Sequence, residues 1–431
     1  MKNKTQVIVV GGGPAGISAA ITIARAGKSV VLIERGSFSG SKNVFGGAIY
    51  IQPTKEIFPD FEASAPLERK TVSHTYIMRT EDKTVSVGYM AREEEVNSYS
   101  VIRSKFDRWM AQQAQKEGVV LVTETLVQNL IVKENKIVGV KTELEEYFAD
   151  IVVLADGVNS LLAKQIGLRK EIKSEDVALG VKEVIKLGKD VIEERFNLRE
   201  GEGAIHELFG DPMLGMLGLG YLYTNKETIC IGIGVSLDEL AKRKLKPYEL
   251  LEKLKAHPSF APLIKGGELV EYSAHLIPEG GYKKLPKMYS DGVMIVGDGA
   301  MLVNNVHWEG TNLAMISGKY AGETAIAAIE KNDFSANTLA LYQKKLENSF
   351  IIKDLKSYKN VMDIVHHRAE SFLGYYPHKI AEFFHMFTSV DSIPKRQKYH
   401  AFIKSIFTDR SISELFKDAI AFIRMGLGVL K

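Results

Sequence analysis

The chain has a single cysteine, Cys230, in 431 residues. One thiol excludes an internal disulfide, a CxxC redox pair, a cysteine-ligated zinc site and an iron–sulfur cluster, which takes about four thiolates. Any electron chemistry must then use a cofactor held without cysteine, or a cluster on another protein. A charge of one sign is also missing. Fifty-six Lys+Arg stand against 53 Asp+Glu, a formal +3, which is too balanced for a nucleic-acid footprint, so no nucleic-acid partner is expected. Long apolar runs are absent too. No stretch approaches the roughly 18 apolar residues of a spanning helix. The start is polar through Gln6 and then apolar only over residues 7–10, short of the about 7–15 apolar residues of a secretory signal. A cytoplasmic protein is expected. At about 150 residues per domain, the length suggests two or three domains with ample core.

What is present begins at once. Val7, Ile8, Val9 and Val10 read as a buried strand, followed by Gly11-Gly12-Gly13-Pro14-Ala15-Gly16 and a helical pattern over residues 17–26. Gly27 ends that helix, and residues 29–33 form a second strand closing on Glu34. This is the dinucleotide-binding βαβ fingerprint. Gly11 permits the tight turn, Gly13 lets the backbone approach a pyrophosphate at the helix N-terminus, and Gly16 allows close helix–strand packing. Glu34 lies 18 residues after Gly16, where an acid meets the adenosine ribose, and an acid rather than an arginine there argues against a 2′-phosphate. The fingerprint alone does not choose between NAD and FAD. Gly218-Leu219-Gly220 and Gly232-Ile233-Gly234 lie in strand patterns with no helix after them, so no separate NAD domain is expected.

Later segments point to flavin by resemblance. Ala155-Asp156-Gly157-Val158-Asn159-Ser160 ends one strand and Gly297-Asp298-Gly299-Ala300 another, while Arg103-Ser104-Lys105-Phe106-Asp107 opens a helix. These are similar to motifs of FAD enzymes related to hydroxybenzoate hydroxylase and geranylgeranyl reductase. The resemblance implies that Asp298 meets the ribityl chain of FAD and that Arg103 contacts the cofactor. Without it, Arg103 reads as a solvated charge at a helix start.

A more specific resemblance lies in residues 40–48 (GSKNVFGGA), 275–281 (HLIPEGG) and 304–315 (NNVHWEGTNLAM). These resemble the FixC flavoproteins, the flavin subunits of electron-bifurcating FixABCX (EtfABCX) complexes, related to electron-transfer-flavoprotein:ubiquinone oxidoreductase. The similarity runs from the first strand to at least residue 330 and more loosely beyond. It implies non-covalent FAD, a quinone substrate, the alpha and beta subunits of an electron-transfer flavoprotein as donor, and a small ferredoxin-like FixX/EtfX subunit carrying the iron–sulfur clusters. No cysteine follows Cys230, so the four-cysteine cluster domain of the single-chain oxidoreductase has no counterpart. That favours the multi-subunit version and argues against the cysteine-paired geranylgeranyl reductases. The resemblance fills out the candidate cofactor set: Gly11, Gly13, Pro14, Ala15, Gly16, Glu34, Arg35, Asn43, Gly46, Gly47, Arg103, Ala155, Asp156, Gly157, Gly297, Asp298, Gly310, Thr311 and Asn312. It sets His307, Trp308, Gly310 and Thr311 beside the isoalloxazine as candidate reactive-site residues. For His307, proton donation to a quinone and a purely structural role both stand.

The expected fold is α/β: a Rossmann-like FAD domain with an inserted antiparallel sheet, as in hydroxybenzoate hydroxylase, and a helical C-terminal region. The FAD domain is expected to be discontinuous (1–70, 92–170, 285–345), the sheet-rich quinone domain to comprise 71–91 and 171–284, and the helical region 346–431. Residues 215–224 and 228–235 read as a hairpin. In its second strand Ile229, Ile231, Ile233 and Val235 share one face, and Cys230, Gly232 and Gly234 the other. That small face either receives a flat ring or lies under a helix or loop. From residue 351 onward 13 Lys+Arg exceed 8 Asp+Glu, and Ser411 to Glu414 form a capping-box pattern. Ile412, Leu415, Phe416, Ala419, Ile420 and Ile423 follow at helical spacing, flanked by Lys417 and Arg424. This terminus either docks on an anionic membrane surface, making the protein peripheral on the inner face of the cell membrane, or meets a partner subunit, or covers its own domain. Two other functions compete with quinone reduction: a stand-alone NAD(P)H-dependent prenyl reductase or hydroxylase, and a non-catalytic flavin-bearing scaffold.

Overall fold

Strand β1 (Lys4–Val10) is buried on both faces over Val7 to Val10, as expected where helices cover a parallel sheet on each side. The computed structural model describes residues 4–42, 46–213 and 215–430. β1 pairs in parallel with β2 (Val30–Ile33) on one side, and β2 in turn with β3 (Val120–Val122). On its other side β1 pairs in parallel with β4 (Glu146–Leu154), which pairs in parallel with the Val293–Ile295 strand. Lys136–Thr142 and Val127–Lys133 add an antiparallel extension beyond the start of β4.

Between β1 and β2 runs helix α1 (Pro14–Arg25), which starts earlier than the apolar pattern suggests because Pro14 occupies its first turn. Helix α2 (Arg103–Lys116) and the 21-residue α3 (Thr311–Lys331) pack against it. A β-carbon on Gly318 would lie 2.0 Å from the Ala15 carbonyl oxygen, so α1 and α3 touch backbone to backbone there. The chain divides into two compact units. Unit 1 comprises residues 1–70, 97–177 and 273–356, and unit 2 comprises 71–96, 178–272 and 357–431. The expected separate helical region 346–431 is split. Ile351, Ile352 and Leu355 join the unit 1 core, whereas 357–431 cluster with unit 2.

Unit 2 carries an antiparallel sheet built from β5 (Val177–Lys186), β6 (Glu202–Gly210), β7 (Gly218–Thr224), β8 (Thr228–Ser236) and β9 (Glu268–Pro278), in the order β9-β5-β8-β7-β6, followed by the Leu67–Arg79 strand. Thr84–Met90 folds back on Leu67–Arg79 as a hairpin. The β7–β8 hairpin forms as expected, and a side chain of its own packs on its glycine face. A β-carbon on Gly232 would lie 2.4 Å from the Tyr221 hydroxyl oxygen, so the ring of the paired residue on β7 fills that face. Tyr221 and Tyr223 stack at 5.9 Å, and Cys230 is buried with Tyr223 and Val184. The unit closes with α4 (Tyr376–Thr388), α5 (Lys395–Asp409) and α6 (Ile412–Leu430). The Ser411 hydroxyl accepts from the Glu414 amide at 3.2 Å, one half of the expected capping box. The Glu414 carboxylate turns instead to Arg368 and Lys417.

Candidate functional site

The carboxyl edge of the unit 1 sheet gathers the loops that begin at Gly11, Ala155 and Gly297, because the strands before them are parallel neighbours. Gly11 has φ +105°, and a β-carbon there would lie 2.2 Å from the Ala155 carbonyl oxygen. One on Gly16 would lie 1.9 Å from the Gly11 carbonyl oxygen. No side chain fits at either position. Gly13 differs, since a β-carbon there meets nothing within 4 Å, so the space over the start of α1 is open. Pro14 needs no acceptor, and the amides of Ala15 and Gly16 lie in the first turn, where the helix supplies none. The positive end of the helix dipole thus faces a space suited to a pyrophosphate.

At the end of β2, Glu34 Oε2 accepts from the Gly12 amide at 2.7 Å and Oε1 from the Gly36 amide at 2.6 Å. These bonds orient a carboxylate that keeps further lone pairs for ribose hydroxyls. The Ser39 and Ser41 hydroxyls lie close by. A β-carbon on Gly12 would be 2.6 Å from Ser39 Oγ, and one on Gly36 would be 2.2 Å from Ser41 Oγ. Both hydroxyls are buried without a hydrogen-bond partner among the described residues. Buried hydroxyls are ordinarily bonded. Their orphaned state beside Glu34 fits a polyhydroxylated, dinucleotide-type cofactor such as FAD.

Arg103 opens α2 and is buried. Its Nε and Nη2 donate to Asp107 at 2.7 and 2.9 Å, and Nη1 donates to Thr311 Oγ1 at 3.1 Å. Gly46 belongs to the same group, since a β-carbon on it would lie 3.3 Å from Thr311 Oγ1 and 3.6 Å from Arg103 Nη1. The neighbouring Gly47 carbonyl accepts from the Val101 amide at 2.7 Å. The Gly297 amide donates to Ser317 Oγ at 3.0 Å, tying the Asp298 turn to α3. Burial pushes the Asp298 carboxyl upward, while the charges of Arg103 and Arg169 oppose the shift. Arg169, which no motif singles out, donates to the Val158 carbonyl at 2.6 Å and faces Asp156, Asp176 and Asp298. Arg35 is exposed. Burial, together with the charges of Arg103 and Arg35, holds His275 down at about 4, so that ring is neutral near pH 7.

The three FixC-like segments converge in unit 1. Gly46 meets Thr311 as above, the Glu279 amide donates to the Asp176 carbonyl at 2.8 Å, and Asn305 Nδ2 donates to the Glu279 carbonyl at 2.6 Å. Burial raises the Glu279 carboxyl to about 8.

Several candidates also bond within the chain. Asp156 accepts from the Ser160 hydroxyl at 3.2 Å and the Leu162 amide at 3.3 Å, so its carboxylate serves its own loop. Gly157 contributes a carbonyl to the same turn, accepting from the Ser160 amide. Asn312 is buried, with Oδ1 accepting from the Tyr50 amide at 2.9 Å and Nδ2 donating to Thr54 Oγ1 at 3.0 Å. It clamps the Ala48–Tyr50 strand rather than facing an open space. Asn304 and Glu309 exchange backbone bonds at 2.9 and 3.1 Å, which leaves His307 and Trp308 exposed at a loop tip. Trp308 sits at φ +52°, a left-handed backbone that costs a bulky residue about 1–3 kcal/mol. Gly310 caps α3 just beyond that tip. Asn43 lies outside the described residues.

Among the described residues no group of three or more His, Cys, Asp or Glu is placed to hold a metal ion. No described helix is long and apolar enough to cross a membrane.

Comparison with known proteins adds three family matches: an FAD binding domain over residues 4–206, an ETF-QO ubiquinone-binding domain over 177–277, and an ETF-QO/FixC family C-terminal domain over 362–427. The chain is 42% identical to Protein FixC of Bradyrhizobium diazoefficiens over 98% of its own length and 99% of the relative's. It is 42% identical to Protein FixC of Escherichia coli K12 over 82% and 84% of the two chains. Among solved structures, a geranylgeranyl bacteriochlorophyll reductase-like protein from Thermoplasma acidophilum superposes with a TM-score of 0.73 at 20% identity, covering 96% of this chain and 98% of the other. The myxobacterial halogenase CndH superposes with a TM-score of 0.66 at 16% identity, covering 95% and 91%. At these identities the superpositions show the fold alone.

Proposed function

The chain belongs to the FixC family and is an FAD-dependent electron-transfer oxidoreductase with quinone as its second redox partner; from that premise we propose that it takes electrons from an electron-transfer flavoprotein and passes them to a membrane quinone, as the flavin subunit of a FixABCX/EtfABCX-type complex. The other subunits are the alpha and beta chains of the flavoprotein and a small ferredoxin-like FixX/EtfX chain carrying the iron–sulfur clusters. The protein acts at the inner face of the cell membrane. The observation that carries this reading is the ubiquinone-binding match over residues 177–277, overlapping the end of the FAD-binding match in a chain with one buried cysteine.

FAD, when bound, supplies the ability to accept electrons singly and deliver them in pairs. The rest of the work falls to the chain's own groups. The first turn of α1, with Gly13 beneath it, holds the pyrophosphate, and Glu34 with Ser39 and Ser41 holds the adenosine ribose. Asp298 accepts from ribityl hydroxyls. Arg103, fixed by Asp107 and Thr311, supplies positive charge to this site, and Gly310 with Thr311 directs the start of α3 toward it. His307 and Trp308 present the exposed tip that meets the ring or the quinone.

The test is reconstitution. Reduced electron-transfer flavoprotein should bleach the bound FAD, and a short-chain quinone should restore its colour. Failure of both halves overturns the reading, and rapid bleaching by NAD(P)H alone replaces it with a stand-alone enzyme. Asp298→Ala should lose FAD occupancy and quinone reduction together. An intact flavin spectrum in that variant would remove Asp298 from the cofactor site.

A further inference from the structure

Arg79 ends the Leu67–Arg79 strand with its side chain inside unit 2, at 1% exposure. Its guanidinium lies over the ring of the fully buried Phe260, 5.2 Å from the centroid. A ring against the guanidinium face leaves the N–H groups at the edge, where they need acceptors. They have none, since Nε, Nη1 and Nη2 are all buried without a hydrogen-bond partner among the described residues. Burial lowers the guanidinium to about 10 and the Asp211 charge opposes that shift, so Arg79 stays cationic near pH 7. Asp211 helps only at a distance, because its carboxylate makes no bond to the guanidinium. A second donor stands beside this cation. Thr84, the register partner of Arg79, donates to Ser259 Oγ at 3.2 Å, and Ser259 Oγ lies 2.7 Å from His257 Nδ1. That Nδ1 also accepts from the Ser259 amide at 3.2 Å, which puts the proton of the neutral ring on Nε2. His257 is 5% exposed, and its Nε2 approaches the Thr80 backbone but is buried without a bond of acceptable geometry.

The unfilled groups are donors, and that selects the occupant. A water accepts few of these bonds and has to place its own two hydrogens beside N–H groups. An anion accepts several at once and offsets a buried charge that otherwise opposes folding. Enclosure sets its size, because the burial of Arg79, Thr80 and Phe260 keeps out a nucleotide or a peptide carboxylate. We propose that unit 2 holds a small inorganic anion of about the size of chloride, bound between the edge of the Arg79 guanidinium and the His257 Nε2–H. The Arg79 carbonyl already accepts from the Asp211 amide at 3.1 Å, which ties the end of the strand to the turn after β6. The Phe260 amide donates to the His257 carbonyl at 2.9 Å in the turn that follows the Pro247–Ala256 helix. The anion joins this second turn to the first through Arg79, so its role is to hold one corner of the unit 2 sheet. The site is independent of the electron-transfer reading.

The test melts the full chain with FAD at constant ionic strength while chloride or bromide replaces gluconate, an anion too large for the site. Chloride at about ten times its dissociation constant should shift the folding equilibrium about elevenfold. The melting temperature should rise by about 2 °C or more, and bromide should act alike. His257→Leu removes one neutral donor and should weaken chloride binding about two- to tenfold. Arg79→Met should abolish the chloride dependence. Where that variant does not fold, crystals of the wild type soaked in bromide decide, and an anomalous peak should lie against the Arg79 guanidinium edge. Melting that ignores chloride overturns the site, as does a chloride effect undiminished in Arg79→Met. Bromide-soaked crystals with only water on the guanidinium overturn it too.

Discussion

Replacing Arg103 by methionine strands the Asp107 carboxylate, whose side chain is 1% exposed and otherwise held at 2.7 and 2.9 Å by the guanidinium. Removing one partner of such a buried pair costs about 3–5 kcal/mol, because a charge is left in low dielectric without compensation. The lost bond to Thr311 adds about 1 kcal/mol. Against a typical domain stability of about 5–15 kcal/mol, the single variant should be marginal. Arg103→Met combined with Asp107→Leu removes the stranded charge as well, and most of the stability should return. Affinity for FAD should not. A charge-assisted contact is worth about 1.5–3 kcal/mol, so the double variant should bind FAD about ten- to a hundredfold more weakly even when well folded. Chemical denaturation of the apoprotein followed by circular dichroism reads the first effect, and quenching of FAD fluorescence on titration reads the second. If the single variant loses less than about 1 kcal/mol, the pair is not buried as described. If the double variant binds FAD like the wild type, Arg103 holds α2 and Thr311 but not the cofactor.

Gly318→Ala would set a β-carbon 2.0 Å from the Ala15 carbonyl oxygen, forcing α1 and α3 apart. Thermal melting should show a loss of about 1–3 kcal/mol or more, with weaker FAD binding because α1 carries the first-turn amides. Asn312→Ala should cost about 1 kcal/mol or more by removing the bonds of the buried Asn312 side chain to the Tyr50 amide and Thr54 Oγ1. The flavin absorption maximum should be unchanged, and a shifted maximum at unchanged stability would return Asn312 to the cofactor. Glu279 titrates near 8 in the folded chain and near 4.5 when unfolded, so the native state holds a proton that the unfolded state has lost. Its contribution is therefore fully present below about pH 4.5 and is lost as pH rises through about 8. Glu279→Gln should flatten that part of the melting-temperature profile. An unchanged slope would show that Glu279 is solvated.

The parts of the fold that could be read from sequence are those whose requirement is local. Strand β1, its glycine turn and α1 follow from a short β-branched run, a residue without a side chain at Gly11 and a proline at the first helical position. The β7–β8 hairpin follows from alternation around a polar turn. Alternation also gives the two faces of β8, but it carries no information about what covers each. The cover for Gly232 is Tyr221, its opposite number on β7, and only the strand register makes them meet. The periodicity of α6 was equally plain, whereas its orientation depends on Arg368 and Arg410, whose positions no helical spacing encodes.

The same distinction runs through the site. Gly16 is demanded by the Gly11 carbonyl oxygen within a single βαβ unit, and Gly11 by its own φ of +105° as well as by Ala155, so a local pattern can locate both. A polar side chain is different, because it bonds to whichever donor or acceptor the tertiary fold brings nearest. Asp156 sits in a motif shared by flavin enzymes, yet Ser160 and the Leu162 amide, four and six residues on, claim its oxygens. Asn312 is claimed by Tyr50, 262 residues earlier in the chain. Ser39, Ser41 and Arg169 carry no pattern and enter the site through burial alone. The two orphaned serine hydroxyls are informative for that reason. Burying a hydroxyl without a partner opposes folding, and two such hydroxyls beside an oriented Glu34 carboxylate are best accounted for by the ribose of a bound cofactor that completes their hydrogen bonds.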